Sequence, residues 1–269
     1  MMKKGMLACF VLAGMMMLTG VMLLMSSCQS CVEIDKVRFH VNDDKFVTEK
    51  RMLKGFEKIE ISGSPTVFYS QSDTFSVKVV GAERLVDNTI TEVNGQTLLV
   101  RNKGKVGIVN FTLGNDNDLK VYVTSPDLTA IRLSGSGDFI SEYRIDTDKM
   151  KVELRGSGDI AINDLICDDC QTELVGSGDI RIDRLEARSH GISLVGSGDI
   201  VVNQWRVDKT DVMLKGSGDI NVSFVEGCKS ADSQVIGSGD ICLSGQLEHY
   251  NVQKRGSGDI NIDNLSVEK

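Results

Sequence analysis

The sequence predicts an all-β chain wound as a parallel β-solenoid, with coils of about 20 residues. Three observations predict it. The tetrapeptide Gly-Ser-Gly-Asp occurs seven times between Gly135 and Asp259. Its first glycines are Gly135, Gly156, Gly176, Gly196, Gly216, Gly237 and Gly256, in steps of 21, 20, 20, 20, 21 and 19 residues. Apolar residues flank every copy at alternate positions, which is the pattern of half-buried strands. A period this regular marks a stacked array. Twenty residues at roughly 3.3 Å each trace about 65 Å, enough for one circuit with three short sides. By the crossover rule a right-handed coil is expected.

Within each repeat the second glycines are Gly137, Gly158, Gly178, Gly198, Gly218, Gly239 and Gly258. The aspartates are Asp138, Asp159, Asp179, Asp199, Asp219, Asp240 and Asp259. The glycines supply backbone angles that a Cβ resists, so the chain can bend sharply at the same place each time. After the aspartate come Phe139, Ile160, Ile180, Ile200, Ile220, Ile241 and Ile260. Two before the first glycine come Leu133, Leu154, Leu174, Leu194, Leu214, Val235 and the exception, Lys254. Stacking these columns fills an interior that no single repeat could close alone. A third apolar column is expected through Leu165, Leu185, Trp205 and Leu265. The Asn163, Asp183, Asn203, Ser223, Ser244 and Asp263 column suits a polar turn with side-chain ladder bonds.

Residues 1–27 read as a targeting segment. Lys3 and Lys4 precede an uncharged, Met-rich run from Gly5 to Met25, as in a secretory leader. Its end, Leu24-Met25-Ser26-Ser27-Cys28, resembles a bacterial lipoprotein signal, although Met25 departs from the usual pattern. That resemblance implies cleavage before Cys28 and lipid on its sulfur. An uncleaved anchor is the alternative, since the apolar run is long enough to span a bilayer. Either reading puts the remainder outside the cytoplasm, in the cell envelope. Whether it is periplasmic or surface-exposed stays open.

Residues 28–52 are mixed and charged and read as a tether, with one early strand over Lys36 to Val41. Residues 53–130 form an irregular β portion that continues and caps the solenoid. Ile59-Glu60-Ile61-Ser62-Gly63-Ser64-Pro65-Thr66-Val67 parallels Ile131 to Phe139 and counts as an eighth, degenerate copy. Phe75 to Val80 and Leu119 to Val123 alternate as strands. Thr89 to Val100 reads as a hairpin on Asn94-Gly95. No stretch offers a convincing amphipathic helix. Residues 131–269 are the regular array, and Lys254 and Arg255 give its last coil a polar, capping character.

The opening Gly55 to Ser64, the hairpin strand Gly95 to Val100 and the serial Gly-Ser-Gly-Asp-Ile copies behind a lipoprotein leader together resemble the putative auto-transporter adhesin, head GIN domain family. The resemblance spans roughly residues 53–265. It implies a β-helical envelope protein with an adhesive role and brings no catalytic residues.

The formal charge is −8, and an acidic extracytoplasmic chain excludes a nucleic-acid partner and broad adsorption to anionic lipid. The aspartate column must offset a repulsion of about 0.9 kcal/mol per neighbouring pair in water. Backbone N–H groups of the glycine bends or serine hydroxyls are the expected partners, rather than a row of calcium ions, which need six to eight oxygens each. Outside the leader and Cys28, the cysteines are Cys31, Cys167, Cys170, Cys228 and Cys242. Cys167-Asp168-Asp169-Cys170 has metal or redox spacing but no second pair, so a loop disulfide or idle thiols are expected, and no metal or cofactor. His40, His190 and His249 read as surface residues and Trp205 as core. The sequence therefore points to a non-catalytic binding or adhesion module on a rigid solenoid, tethered by lipid and facing an extracytoplasmic protein or glycan. A polysaccharide-active β-helix enzyme and a self-associating envelope protein are the alternatives. Homo-oligomerisation stays open.

Overall fold

In the computed structural model the described residues are 45–104 and 119–267. The expected leader, the lipid site at Cys28 and the early strand over Lys36 to Val41 lie outside them. The described residues belong to one compact unit, Asp43–Lys269, and its strands join in one continuous sheet.

The regular coils follow from the repeat. β8 (Ala130–Gly135), β10 (Lys149–Gly156) and β12 (Asp169–Gly176) precede successive Gly-Ser-Gly-Asp bends, and β9 (Asp138–Asp146) and β11 (Asp159–Ile166) follow them. Beyond that, strands run round the bends of the circuit as β13 (Asp179–Gly196), β14 (Ile200–Gly216), β15 (Ile220–Gly237) and β16 (Ile241–Gly256), ending in β17 (Ile260–Val267). Every pairing between these coils is parallel. The first glycines pair in one column from Gly135 to Gly256. The solenoid and its register are thus those the spacing predicts.

The degenerate copy takes its expected place. β2 (Lys58–Gly63) pairs with β8 so that Gly63 faces Gly135, and β3 (Thr66–Gln71) pairs with β9 so that Thr66 faces Asp138. What precedes it in space is not what precedes it in sequence. β6 (Thr97–Asn102) and β7 (Lys120–Ser125) stack parallel on the other side of β2 and β3. The chain makes its second layer first, then an outer layer, then moves to the regular array. β1 (Phe46–Arg51) and β4 (Ser76–Ala82) close that end antiparallel, β1 on β4 and β4 on β7. β5 (Thr89–Asn94) folds back on β6 around Gly95, at φ +60°, as the Asn-Gly signal predicts.

Two differences from the sequence reading arise here. Residues 46–51 were expected within the tether. They form β1 because Thr48 and Lys50 alternate with Val47 and Glu49, and β4 offers an edge to pair with. Among the described residues there is one short helix, α1 (Glu83–Asp87), and it buries Val86. Five residues are too few to show a helical periodicity.

The core runs the length of the coil as stacked columns. Val67, Phe139, Ile160, Ile180, Ile200, Ile220 and Ile241 make one column, and Ile61, Leu133, Leu154, Leu174, Leu194, Leu214 and Val235 another, all buried. Lys254 ends the second column at an exposed position and pairs with Asp259.

The third-side column departs from expectation at one coil. Leu165 and Leu185 lie in it, but Gln204, not Trp205, faces Leu185. In the earlier coils a bulge separates Ile182 from Leu185. In this coil alternation continues unbroken from Val202 to Gln204, so the glutamine turns inward. Trp205 is pushed outward, where the Arg184 guanidinium covers its ring at 4.7 Å. Arg206 then takes φ +58°, the single non-glycine residue with positive φ among the described residues, and restores the register.

His190 is a second departure. It was read as a surface residue, but it lies between Cys170 and Thr210 in an inward column and is only 1% exposed. Its Nδ1 is 2.8 Å from Gln204 Nε2 and its Nε2 is 2.9 Å from Thr172 Oγ1. The Gln204 amide oxygen accepts from the Thr210 hydroxyl at 2.7 Å. Polar side chains from three successive coils therefore satisfy one another inside an otherwise apolar interior.

Candidate binding faces

The Gly-Ser-Gly-Asp edge is a structural seam. Each first glycine sits at φ between +126° and +144°, a region closed to most L residues. Its carbonyl accepts two N–H groups from the next coil, as Gly156 O does from Ser177 at 2.9 Å and Gly178 at 3.1 Å. The aspartates are held in the same way. Asp179 N–H donates to Asp159 Oδ1 at 3.1 Å, Asp199 N–H to Asp179 at 2.9 Å, and so on to Asp259 on Asp240 at 2.7 Å. The expected backbone N–H partners exist, but they come from the neighbouring coil's aspartate rather than from the residue's own glycine bend. At the first regular copy the Thr66 hydroxyl donates to Asp138 Oδ2 at 3.1 Å. Among the described residues no cluster of His, Cys, Asp and Glu has the arrangement of a metal centre.

The turn column also forms ladders. Asn163 Nδ2 donates to Glu142 O, Asn203 Nδ2 to Asp183 O, and Ser244 Oγ to Ser223 Oγ. Cys167 and Cys170 are both buried free thiols at one corner. The hydrogen bond to Cys167, with burial, pushes the Cys170 thiol well above its usual range, away from thiolate chemistry. Burial also raises the Cys228 thiol.

The flat side before each bend is divided along its length. In the earlier coils its outward positions are charged: Glu153 accepts from Arg132 Nε at 2.6 Å and from Lys151 Nζ at 2.9 Å. These partners hold its carboxyl at about 2 against the cost of burial. In the later coils the same columns carry amides, hydroxyls and acids. One runs Gln171, Gly191, Asp211, Asp232, Asn251 and the other Glu173, Ser193, Met213, Gln234, Gln253. The Gln171 amide lies over Gly191, which has no side chain, and Ser193 is short beside Glu173 and Met213, so the surface dips there. It forms a groove of about 350 Å³ lined by both columns. At about 4.8 Å per coil it extends about 19 Å from Gln171 to Asn251. Sequence reading missed it, because it depends on which outward residues are small in adjacent coils.

The model of the putative auto-transporter adhesin, head GIN domain family matches residues 55–228 and 185–269. The chain belongs to this family. Among solved structures, this head GIN domain protein is similar to a putative adhesin from Bacteroides fragilis. The two share 26% identity and a TM-score of 0.72, with 81% of this chain and 96% of that one covered. A putative lipid binding protein from Parabacteroides distasonis has 26% identity and a TM-score of 0.65, covering 81% and 97% of the two chains. A putative adhesin from Parabacteroides merdae shares the fold at 16% identity and a TM-score of 0.64, again covering 81% of this chain and 96% of that one. No functionally curated protein matches the chain.

For the head GIN domain protein the geometry separates scaffold from surface. Glycine and aspartate positions hold coil to coil, while in the groove Asp211 pairs with Lys209 at 3.0 Å and Gln234 donates to Gln253 Oε1 at 3.4 Å.

Proposed function

We propose that this protein is a non-catalytic adhesion module of the cell envelope, lipid-anchored at Cys28, whose groove between Gln171 and Asn251 binds a glycan. The observation that carries the reading is the groove itself. It is a straight trough on a rigid sheet, lined by Gln171, Gln234, Asn251 and Gln253 amides and by the Asp211 and Asp232 carboxylates, with Met213 as an apolar contact. Amides and carboxylates at regular spacing suit the hydroxyls of an extended polysaccharide, and a preformed trough costs little ordering on binding. Family membership supports the adhesive role, and the leader supports the envelope location.

A glycan array probed with a chain beginning at Gln29 tests the groove, since the unit from Asp43 onward carries its own core. Binding that falls at least tenfold in Asp211→Ala/Gln234→Ala/Asn251→Ala is expected. Equal binding by the variant would move the site elsewhere, and release of unsaturated sugar from uronate polymers would replace adhesion with lyase chemistry. The anchor is tested separately. Cells expressing the full chain should hold it in the membrane fraction, with Cys28→Ala leaving it without lipid by intact-mass measurement. An unmodified Cys28 in the wild-type chain would overturn the lipoprotein assignment.

A further inference from the structure

The end of the solenoid where the chain enters carries a second surface of different chemistry. Lys50 faces Lys78, Lys78 faces Tyr122, Tyr122 faces Phe68 and Phe68 faces Ile140 across β1, β4, β7, β3 and β9. Residues paired this way project from the same side of the sheet. Phe68 and Tyr122 stack at 5.3 Å, and the Lys120 ammonium lies 5.7 Å from the Phe68 ring. Tyr143 lines the same hollow as Phe68, Tyr122 and Lys78. Phe46, four positions before Lys50, lies on the same side of β1 by alternation, and Met52 follows directly on the end of that strand.

The exposure of these side chains is unusual. Met52 is 96% exposed, Tyr143 67% and Phe46 62%, the three most exposed large apolar residues among those described. Among the described residues, no ion pair engages Lys50, Lys78 or Lys120. The nearby acids are few: Asp138 is engaged by Thr66, and Glu142 sits at the rim beside Tyr143. An acidic protein has thus gathered lysines and exposed aromatic side chains on one face, with the exposed Met52 at the end of its outermost strand.

We infer that this face docks on an anionic lipid surface, in addition to any covalent anchor. Aromatic rings and Met enter the headgroup boundary, and flanking lysines meet lipid phosphates while their stems stay on apolar surface. The position of the face favours a membrane over a soluble acidic polymer. β1, which carries Phe46 and Lys50, is the first described strand, and the apolar run and Cys28 lie just upstream of it. The 16 residues from Gln29 to Asp44 reach at most about 55 Å when extended, so an anchored chain keeps β1 close to the bilayer. This inference rests on the lipoprotein reading for its orientation. The protein is net acidic overall, so a face that gathers unpaired lysines is the one an anionic surface selects.

The test is vesicle co-sedimentation of the chain beginning at Gln29, which lacks Cys28 and so reports on the face alone. Binding to vesicles with a third phosphatidylglycerol is expected, absent on pure phosphatidylcholine and lost in high salt. At about fivefold per lysine, Lys50→Gln/Lys78→Gln/Lys120→Gln should weaken it about a hundredfold. Tyr122→Ser/Tyr143→Ser should weaken it without removing the salt dependence. All five positions are on the surface, and unchanged thermal melting confirms that the variants fold. No binding to anionic vesicles, or binding untouched by both variants, overturns the inference. Tighter binding to soluble polygalacturonate than to vesicles replaces lipid with an acidic polysaccharide.

Discussion

Gly198→Ala is expected to destabilise the protein by roughly 3–5 kcal/mol, or to prevent folding, although Gly198 does not adopt positive φ. A Cβ at this position would stand 1.9 Å from the carbonyl oxygen of Gly178 and about 3 Å from two backbone carbons of the coil below. Backbone cannot step aside as a side chain can, and Gly178 is itself locked by the same contact to Gly158. Relief would require lengthening the N–H···O bonds that join adjacent bends, here Ser197 and Gly198 to Gly176 O.

Three companion substitutions separate steric from conformational cost. Gly196→Ala combines φ +142° with a Cβ 2.0 Å from Gly176 O, and should be at least as damaging. Gly227→Ala has φ +91° but open space, so only backbone strain applies, about 1–2 kcal/mol. Gly191→Ala meets only the amide end of Gln171 at 2.3 Å, which can rotate away, and should cost below about 1 kcal/mol. Urea midpoints for the four variants give the order. Were Gly198→Ala to unfold within about 1 kcal/mol of wild type, the tight stacking of bends would be wrong.

That order shows what the sequence could and could not disclose. The repeat fixed where bends recur, and alternation around each bend fixed which residues face inward, so the coil and its register were legible. The reason for the second glycine was not, because its constraint is another coil's backbone rather than its own dihedral angles. The aspartate ladder was half legible: a carboxylate needs donors, but only the stacking shows that the donor is the next aspartate's N–H. A cap from residues 53–130 was legible but its layer order was not, because β6 and β7 insert beneath β2 and β3 against chain order, and no local pattern encodes that. Trp205 and Gln204 exchanged places for a similar reason. A missing bulge shifts inward and outward by one residue, and composition favours the wrong answer since tryptophan looks more like core than glutamine. The two proposed faces were invisible for the same cause, as each is assembled from residues on separate strands that only the stacking brings together.

The inward polar cluster predicts a loss of stability in mild acid that His190→Leu should abolish. Gln204 Nε2 can only donate, so His190 Nδ1 must accept and its proton sits on Nε2, donating to Thr172. A second proton on Nδ1 would face an amide donor in a fully buried site, and burial lowers the ring's pKa to about 3 from its ordinary 6.5. The unfolded chain takes up this proton below about pH 6.5, whereas the folded chain refuses it until about pH 3. Protons therefore favour unfolding across that window: the stabilisation is complete above 6.5 and lost progressively as pH falls toward 3. Between pH 7 and pH 5 the loss is ~2 kcal/mol. Glu153, held at about 2, adds its own loss in the same direction, but only below its ordinary value of 4.5. Urea unfolding at pH 7, 6 and 5 isolates the histidine. His190→Leu should be less stable than wild type at pH 7, since it strands Gln204 and Thr172, yet nearly flat down to pH 5. A variant as acid-sensitive as wild type over that range would show that His190 titrates freely and is not enclosed by Gln204 and Thr172.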